Sequence, residues 1–89
     1  MPKHYNIRVY GSVQGMGFRA ATRARAQKLG LAGFVRNEPE GRVYIEVEGA
    51  EDALKKLVQW SQRGPWFASV ARVEVEEGTV QQFKGFVIQ

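Results

Sequence analysis

Two hydrophobic periods alternate along this chain, and the order of that alternation leaves few folds open. Residues 4 to 10 set Tyr5, Ile7 and Val9 against Asn6 and Arg8, the two-residue period of a strand with one buried face. From Phe18 to Leu29 the period lengthens: Phe18, Thr22, Ala26 and Leu29 make one narrow apolar stripe, and Gly30 supplies a stop. Period two returns in residues 31 to 37 and 42 to 48, where Val43, Ile45 and Val47 alternate with Arg42, Tyr44 and Glu46. Between these segments, Glu38-Pro39-Glu40-Gly41 carries turn chemistry, so a β-hairpin is expected.

A second helix is expected after Glu51 and Asp52, which suit a helix start, with Leu54, Leu57, Val58 and Ser61 on one face. Arg63-Gly64-Pro65 ends it. Ala71, Val73 and Val75 then alternate with Arg72, Glu74 and Glu76, and Phe83 to Ile88 make a short last strand. The order is βαββαβ with one late extra piece of strand. It predicts an α+β, ferredoxin-like split βαββαβ sandwich: an antiparallel sheet with two helices on one face. Trp60, Phe67 and Phe86 read as core or core-edge aromatics. With 89 residues the chain is one domain, 1–89, built on a single core, and any active site lies at the edge of that core.

The junction of the first strand and first helix is unusual. Gly11-Ser-Val-Gln-Gly-Met-Gly-Phe-Arg19 places three glycines and an arginine where a strand turns into a helix. Backbone N–H groups in such a turn can converge on one anion, and Arg19 can fork two donors onto phosphate oxygens. The alternative is a plain flexible connection with a solvated arginine. Charge is biased toward this half of the chain. Residues 1 to 37 carry Lys3, Arg8, Arg19, Arg23, Arg25, Lys28 and Arg36 and no carboxylate, whereas 38 to 89 hold six bases against nine acids. A positive field of this kind suits a small phosphorylated substrate or a nucleic-acid backbone, and a solvated helix face accounts for part of it.

Most catalytic machinery is excluded by composition. There is no cysteine, and the one histidine, His4, stands at the expected frayed start of the first strand, so thiol, serine–histidine and histidine–metal chemistry are not available. Glu38 and Glu40 flank the hairpin turn as conceivable general bases, with solvated turn-tip residues the blander reading. Arg19 and Asn37 remain, on adjacent parts of the expected fold. Asn37 either serves chemistry or caps the turn it precedes.

With these residues in view, GSVQGMGFR at 11–19 and GFVRNEPEGRVYIEVEG at 33–49 resemble the two signature segments of the acylphosphatases, and the likeness runs over nearly the whole chain. The resemblance implies a small βαββαβ enzyme that hydrolyses the carboxyl–phosphate bond of acyl phosphates. It implies a cradle made by Val13, Gln14, Gly15, Met16, Gly17, Phe18 and Arg19, with the Arg19 guanidinium on the phosphoryl group and Asn37 placing the attacking water. No metal or cofactor is implied; inorganic phosphate is the product and an inhibitor, and a cytoplasmic monomer with no nucleic-acid or membrane partner is expected. Met16, Glu40 and Trp66 depart from the commonest family residues, Met16 alone within the cradle.

Such a sparse site suits the chemistry. Phosphoryl transfer has a loose transition state that positioning and charge stabilisation can catalyse. A carboxylate, whose conjugate acid has a pKa of about 4, leaves without a general acid. The rival reading is an RNA-binding module of the same element order. Its usual mark is an aromatic-rich third strand, where this chain has RVYIEVE with Tyr44 alone.

Overall fold

Strand pairing begins with β1 (Lys3–Ser12), whose long period-two segment lies between two antiparallel partners, β3 (Val43–Gly49) and β4 (Ser69–Gly78). In the computed structural model, which describes Met1–Gln89, the remaining elements are α1 (Phe18–Lys28), β2 (Ala32–Asn37), a single 3-10 turn (Pro39–Gly41), α2 (Glu51–Arg63) and β5 (Phe86–Ile88). The sheet order is β4-β1-β3-β2-β5.

The βαββαβ order and the two helices on one face are as the periodicities predict. One pairing differs: β5 runs parallel to β2, so the sheet is antiparallel except at that edge. The last strand is also shorter than Phe83 to Ile88, because Gly85, at φ 67°, breaks the run before Phe86.

One core lies between sheet and helices. Ile7 and Val9 from β1, Val35 from β2 and Val43, Ile45 and Val47 from β3 meet Phe18 and Ala26 of α1 and Leu54 and Leu57 of α2. Full burial stabilises by roughly 1.5–3 kcal/mol for each large aliphatic side chain. Thr22 and Ser61 are buried in the same layer and return their hydroxyls to the carbonyls of Phe18 and Leu57, four residues back.

The alternation expected for β4 fails at its start. A bulge opposite Tyr10 and Gly11 skips Ala71, so Val70 and Val73 pack against the core while Val75 stays exposed on this edge strand. Gly11 is required there, since a Cβ would run into the backbone of Ser69 and Ala71. Of the three aromatics expected in the core, Phe86 is buried and Trp60 packs at its margin, but Phe67 is exposed beside Trp66.

The other face of the sheet is closed by chain, not by helix. His4 is buried and not frayed: its Nδ1 lies 2.6 Å from Glu48 Oε2, and its ring is 6.0 Å from that of Phe83. Glu48 also accepts the backbone N–H groups of Gln81 and Phe83, which straps the β4–β5 connection onto the sheet. Phe34 and Tyr44 are buried on this face, with Arg36 stacked on both and Arg8 on Tyr44, so neither offers a free ring to a base.

Burial raises the pKa of Glu48, but the donors Gln81, His4 and Phe83 outweigh it and hold the carboxyl below its ordinary 4.5. A depressed carboxylate contributes stability that is present above the ordinary value and lost as pH falls through the folded one. Glu48→Gln is therefore expected to lower stability at neutral pH by about 1–3 kcal/mol and to flatten the loss of stability below pH 4.5. Denaturant melts across pH 2 to 7 check this; an unchanged acid limb would show that the strap does not depend on the carboxylate.

Candidate active site

The turn from β1 into α1 is shaped by two left-handed glycines, Gly15 at φ 79° and Gly17 at φ 86°. A Cβ at either would meet nothing within 4 Å, so backbone conformation, not crowding, demands glycine. Gly17 is the N-cap of α1 and brings no side chain, and the first turn contains no acid. The backbone N–H groups of Gly15, Met16 and Gly17 find no acceptor in the protein. The positive end of the helix dipole and several free donors thus open to one side.

Arg19, in the first turn of α1, is held by Gln89. Its Nη1 donates to the carbonyl of Gln89 at 3.1 Å, and the Gln89 N–H donates to the carbonyl of Val35 at 2.8 Å. The parallel β2–β5 pairing therefore fixes the guanidinium beside the end of β2, where Asn37 stands.

Asn37 caps nothing. The hairpin closes through backbone bonds from Glu38 N–H to the Arg42 carbonyl and from Gly41 N–H to the Glu38 carbonyl, while Asn37 Oδ1 is buried without a partner. An orphaned buried acceptor costs about 1–3 kcal/mol. The acceptor is free to take a hydrogen bond from outside the protein.

Glu38 is not a solvated turn-tip carboxylate. Arg42 Nε donates to it at 2.7 Å and Arg36 Nη2 at 3.0 Å. The Arg42 contact, against the opposing effect of burial and with help from Arg36, holds its pKa below 4.5, which makes it a poor base. Glu40 points to solvent from a left-handed position, φ 74°, with its side chain 82% exposed.

A cavity of about 190 Å³ joins these features, lined by Val13, Gly15, Met16, Gly17, Phe18, Arg19, Ala20, Asn37 and Ile88. Arg19 is its one cation, and no carboxylate lines it. Gln14 does not line it; its Nε2 donates to the carbonyls of Glu38 and Arg42, both at 2.8 Å, and staples the glycine turn to the base of the hairpin. Ile88 and Gln89 escape sequence reasoning, because only the parallel pairing of β5 brings them here.

The family model for Acylphosphatase matches residues 5–88. The chain belongs to the acylphosphatase family. It is 51% identical over 81 residues to a Pseudomonas aeruginosa protein named acylphosphatase, covering 91% of this chain and 89% of that one. Among solved structures it is similar to an acylphosphatase from Bacillus subtilis, with TM-score 0.94, 39% identity and coverage of 100% and 99% of the two chains. An acylphosphatase from Coxiella burnetii gives TM-score 0.95 at 33% identity, over 99% and 93%.

In this acylphosphatase-family chain, removing the orphaned amide is expected to cost no stability. Asn37→Ala should leave the stability unchanged or increase it by up to about 1 kcal/mol. Denaturant unfolding decides this; a loss of more than about 1 kcal/mol would return Asn37 to a structural role.

Proposed function

We propose that this chain is an acylphosphatase, cleaving the carboxyl–phosphate bond of acyl phosphates to a carboxylate and inorganic phosphate by direct attack of water. The observation that carries this is the buried, unpartnered Oδ1 of Asn37 on the wall of a cavity that also holds Arg19 and the free amides of the glycine turn. An acceptor suits the O–H of water; donors and a cation suit phosphoryl oxygens.

The turn from Val13 to Arg19 is the cradle, in which the amides and the Arg19 guanidinium take the phosphoryl oxygens and stabilise charge on them in the transition state. Asn37 accepts a hydrogen bond from water and aligns it opposite the acyl oxygen. Phosphorus–oxygen bond formation to water accompanies loss of the bond to the acyl oxygen, and the electron pair leaves on a carboxylate that needs no proton. The ion-paired Glu38 and solvent-facing Glu40 are left out of this scheme.

Metal independence is part of the proposal, supported by the donor set, in which no three His, Cys, Asp or Glu side chains are placed to hold a metal ion. So are inhibition by inorganic phosphate, which would occupy the same cradle, and action as a cytoplasmic monomer. No helix is long and apolar enough to cross a membrane.

Arg19→Ala and Arg19→Lys are both expected to lose about 100-fold or more in kcat/KM on benzoyl phosphate and to weaken phosphate inhibition, because the planar fork is gone. Asn37→Ala should lose a comparable factor in kcat with phosphate inhibition retained. Near-normal turnover in either Arg19 variant, or loss of phosphate affinity with intact kcat in Asn37→Ala, would break the division of roles.

Reactivity should fall steeply from acyl through aryl to alkyl phosphates, since no acid is placed to protonate an alkoxide, and should survive exhaustive chelation. The measurement is kcat/KM against leaving-group pKa at constant salt, with and without EDTA. Comparable turnover of an alkyl phosphate, or restoration by one divalent ion after chelation, would contradict the scheme.

A further inference from the structure

A second basic cavity lies away from the glycine turn, between the two helices. On α2, Lys56, Gln59, Trp60 and Arg63 recur at the three- and four-residue spacing of one helix face; Arg25 of α1 and the C-cap residue Leu29 are four apart. These six side chains line a cavity of about 330 Å³. Leu29 and the Trp60 ring are its large apolar side chains, and its polar side chains are three cations and an amide.

Of the ten other lysines and arginines, five are ion-paired; these three are not. Lys3, Arg36, Arg42, Lys55 and Arg72 each have a carboxylate within reach, but no ion pair involves Arg25, Lys56 or Arg63. Lys55, the neighbour of Lys56, turns to Glu51. Arg25 instead lies over the Trp60 ring, 5.8 Å from its centroid. An adjoining shallow cavity shares Arg25 and Trp60 and adds Lys28. Like charges gathered on one concavity with no counter-charge repel one another, and a multivalent anion relieves that repulsion.

Spacing selects the kind of anion. Lys56 and Arg63 are seven residues apart, about 10 Å along the helix axis. Three unpaired cations exceed the charge of a single phosphate, whereas a chain of phosphates lying along the groove can set an anionic group against each. We propose that the α1–α2 groove is a second anion site, distinct from the catalytic cradle, that takes a linear oligophosphate between Arg25, Lys56 and Arg63.

Trp60 gives the site its own reporter. One of two tryptophans in the chain, it carries Arg25 on one side and has Phe18 at 5.7 Å. The probe is inorganic triphosphate, titrated at 0.15 M ionic strength against the fluorescence of full-length protein carrying Trp66→Phe. A saturable change in Trp60 emission is expected. The paired substitution Lys56→Gln and Arg63→Gln should raise the triphosphate Kd by about tenfold or more, with each single change intermediate and KM for benzoyl phosphate unchanged. Arg19→Ala, which removes the guanidinium from the cradle, should leave the triphosphate Kd within about threefold. Binding that disappears in Arg19→Ala would assign the anion to the cradle and overturn the proposal. So would an unchanged Kd in the paired variant of confirmed native circular dichroism, or a response that does not saturate.

Discussion

The start of α1 is left electrically open, and the site depends on that. A helix ordinarily spends a side chain on its first turn. Here the N-cap is Gly17, no acid follows, and the amides before it have no protein acceptor. Left-handed glycines hold the turn in a backbone conformation that other residues rarely adopt. The protein forgoes the stabilisation of a cap and keeps a preformed concentration of donors.

Two long-range tethers and one local closure give that opening its geometry. Gln14 fastens the turn to the hairpin, Gln89 fastens Arg19 to the end of β2, and the hairpin closes on itself so that Asn37 is free of capping duty. Glu38 pairs with both Arg36 and Arg42, and Arg19 is the cation that faces the cavity. On the far side of the sheet, Glu48 performs an analogous service for the β4–β5 connection by gathering His4 and two backbone amides. That connection leads into β5, so the polar strap indirectly supports the placement of Gln89 and Arg19.

Elements whose helix-facing side is written locally were readable from period alone: β1 and β3 by alternation, although Tyr44 and Glu48 on the other face of β3 are buried as well, and α2 by Leu54, Leu57 and Ser61. The glycine turn and the Arg19–Asn37 pair were also legible, because glycine conformation and side-chain chemistry are written locally. Features that depend on non-local pairing were not. Nothing in Phe86-Val87-Ile88 states that it runs parallel to β2, and no local pattern marks the bulge that turns Val70 inward in place of Ala71. His4 and Glu38 look solvated in sequence because their partners, Glu48 and the two arginines, become neighbours only across strands and around the turn.

The central claim is that the cradle binds the phosphoryl group and Asn37 delivers water to phosphorus. Its most direct test is hydrolysis of benzoyl phosphate in ¹⁸O-water, with the uncatalysed background subtracted and the label located by mass spectrometry. Label in inorganic phosphate and none in benzoate is the expected result. Label in benzoate would mean attack at the acyl carbon and would contradict the roles given to Arg19 and Asn37.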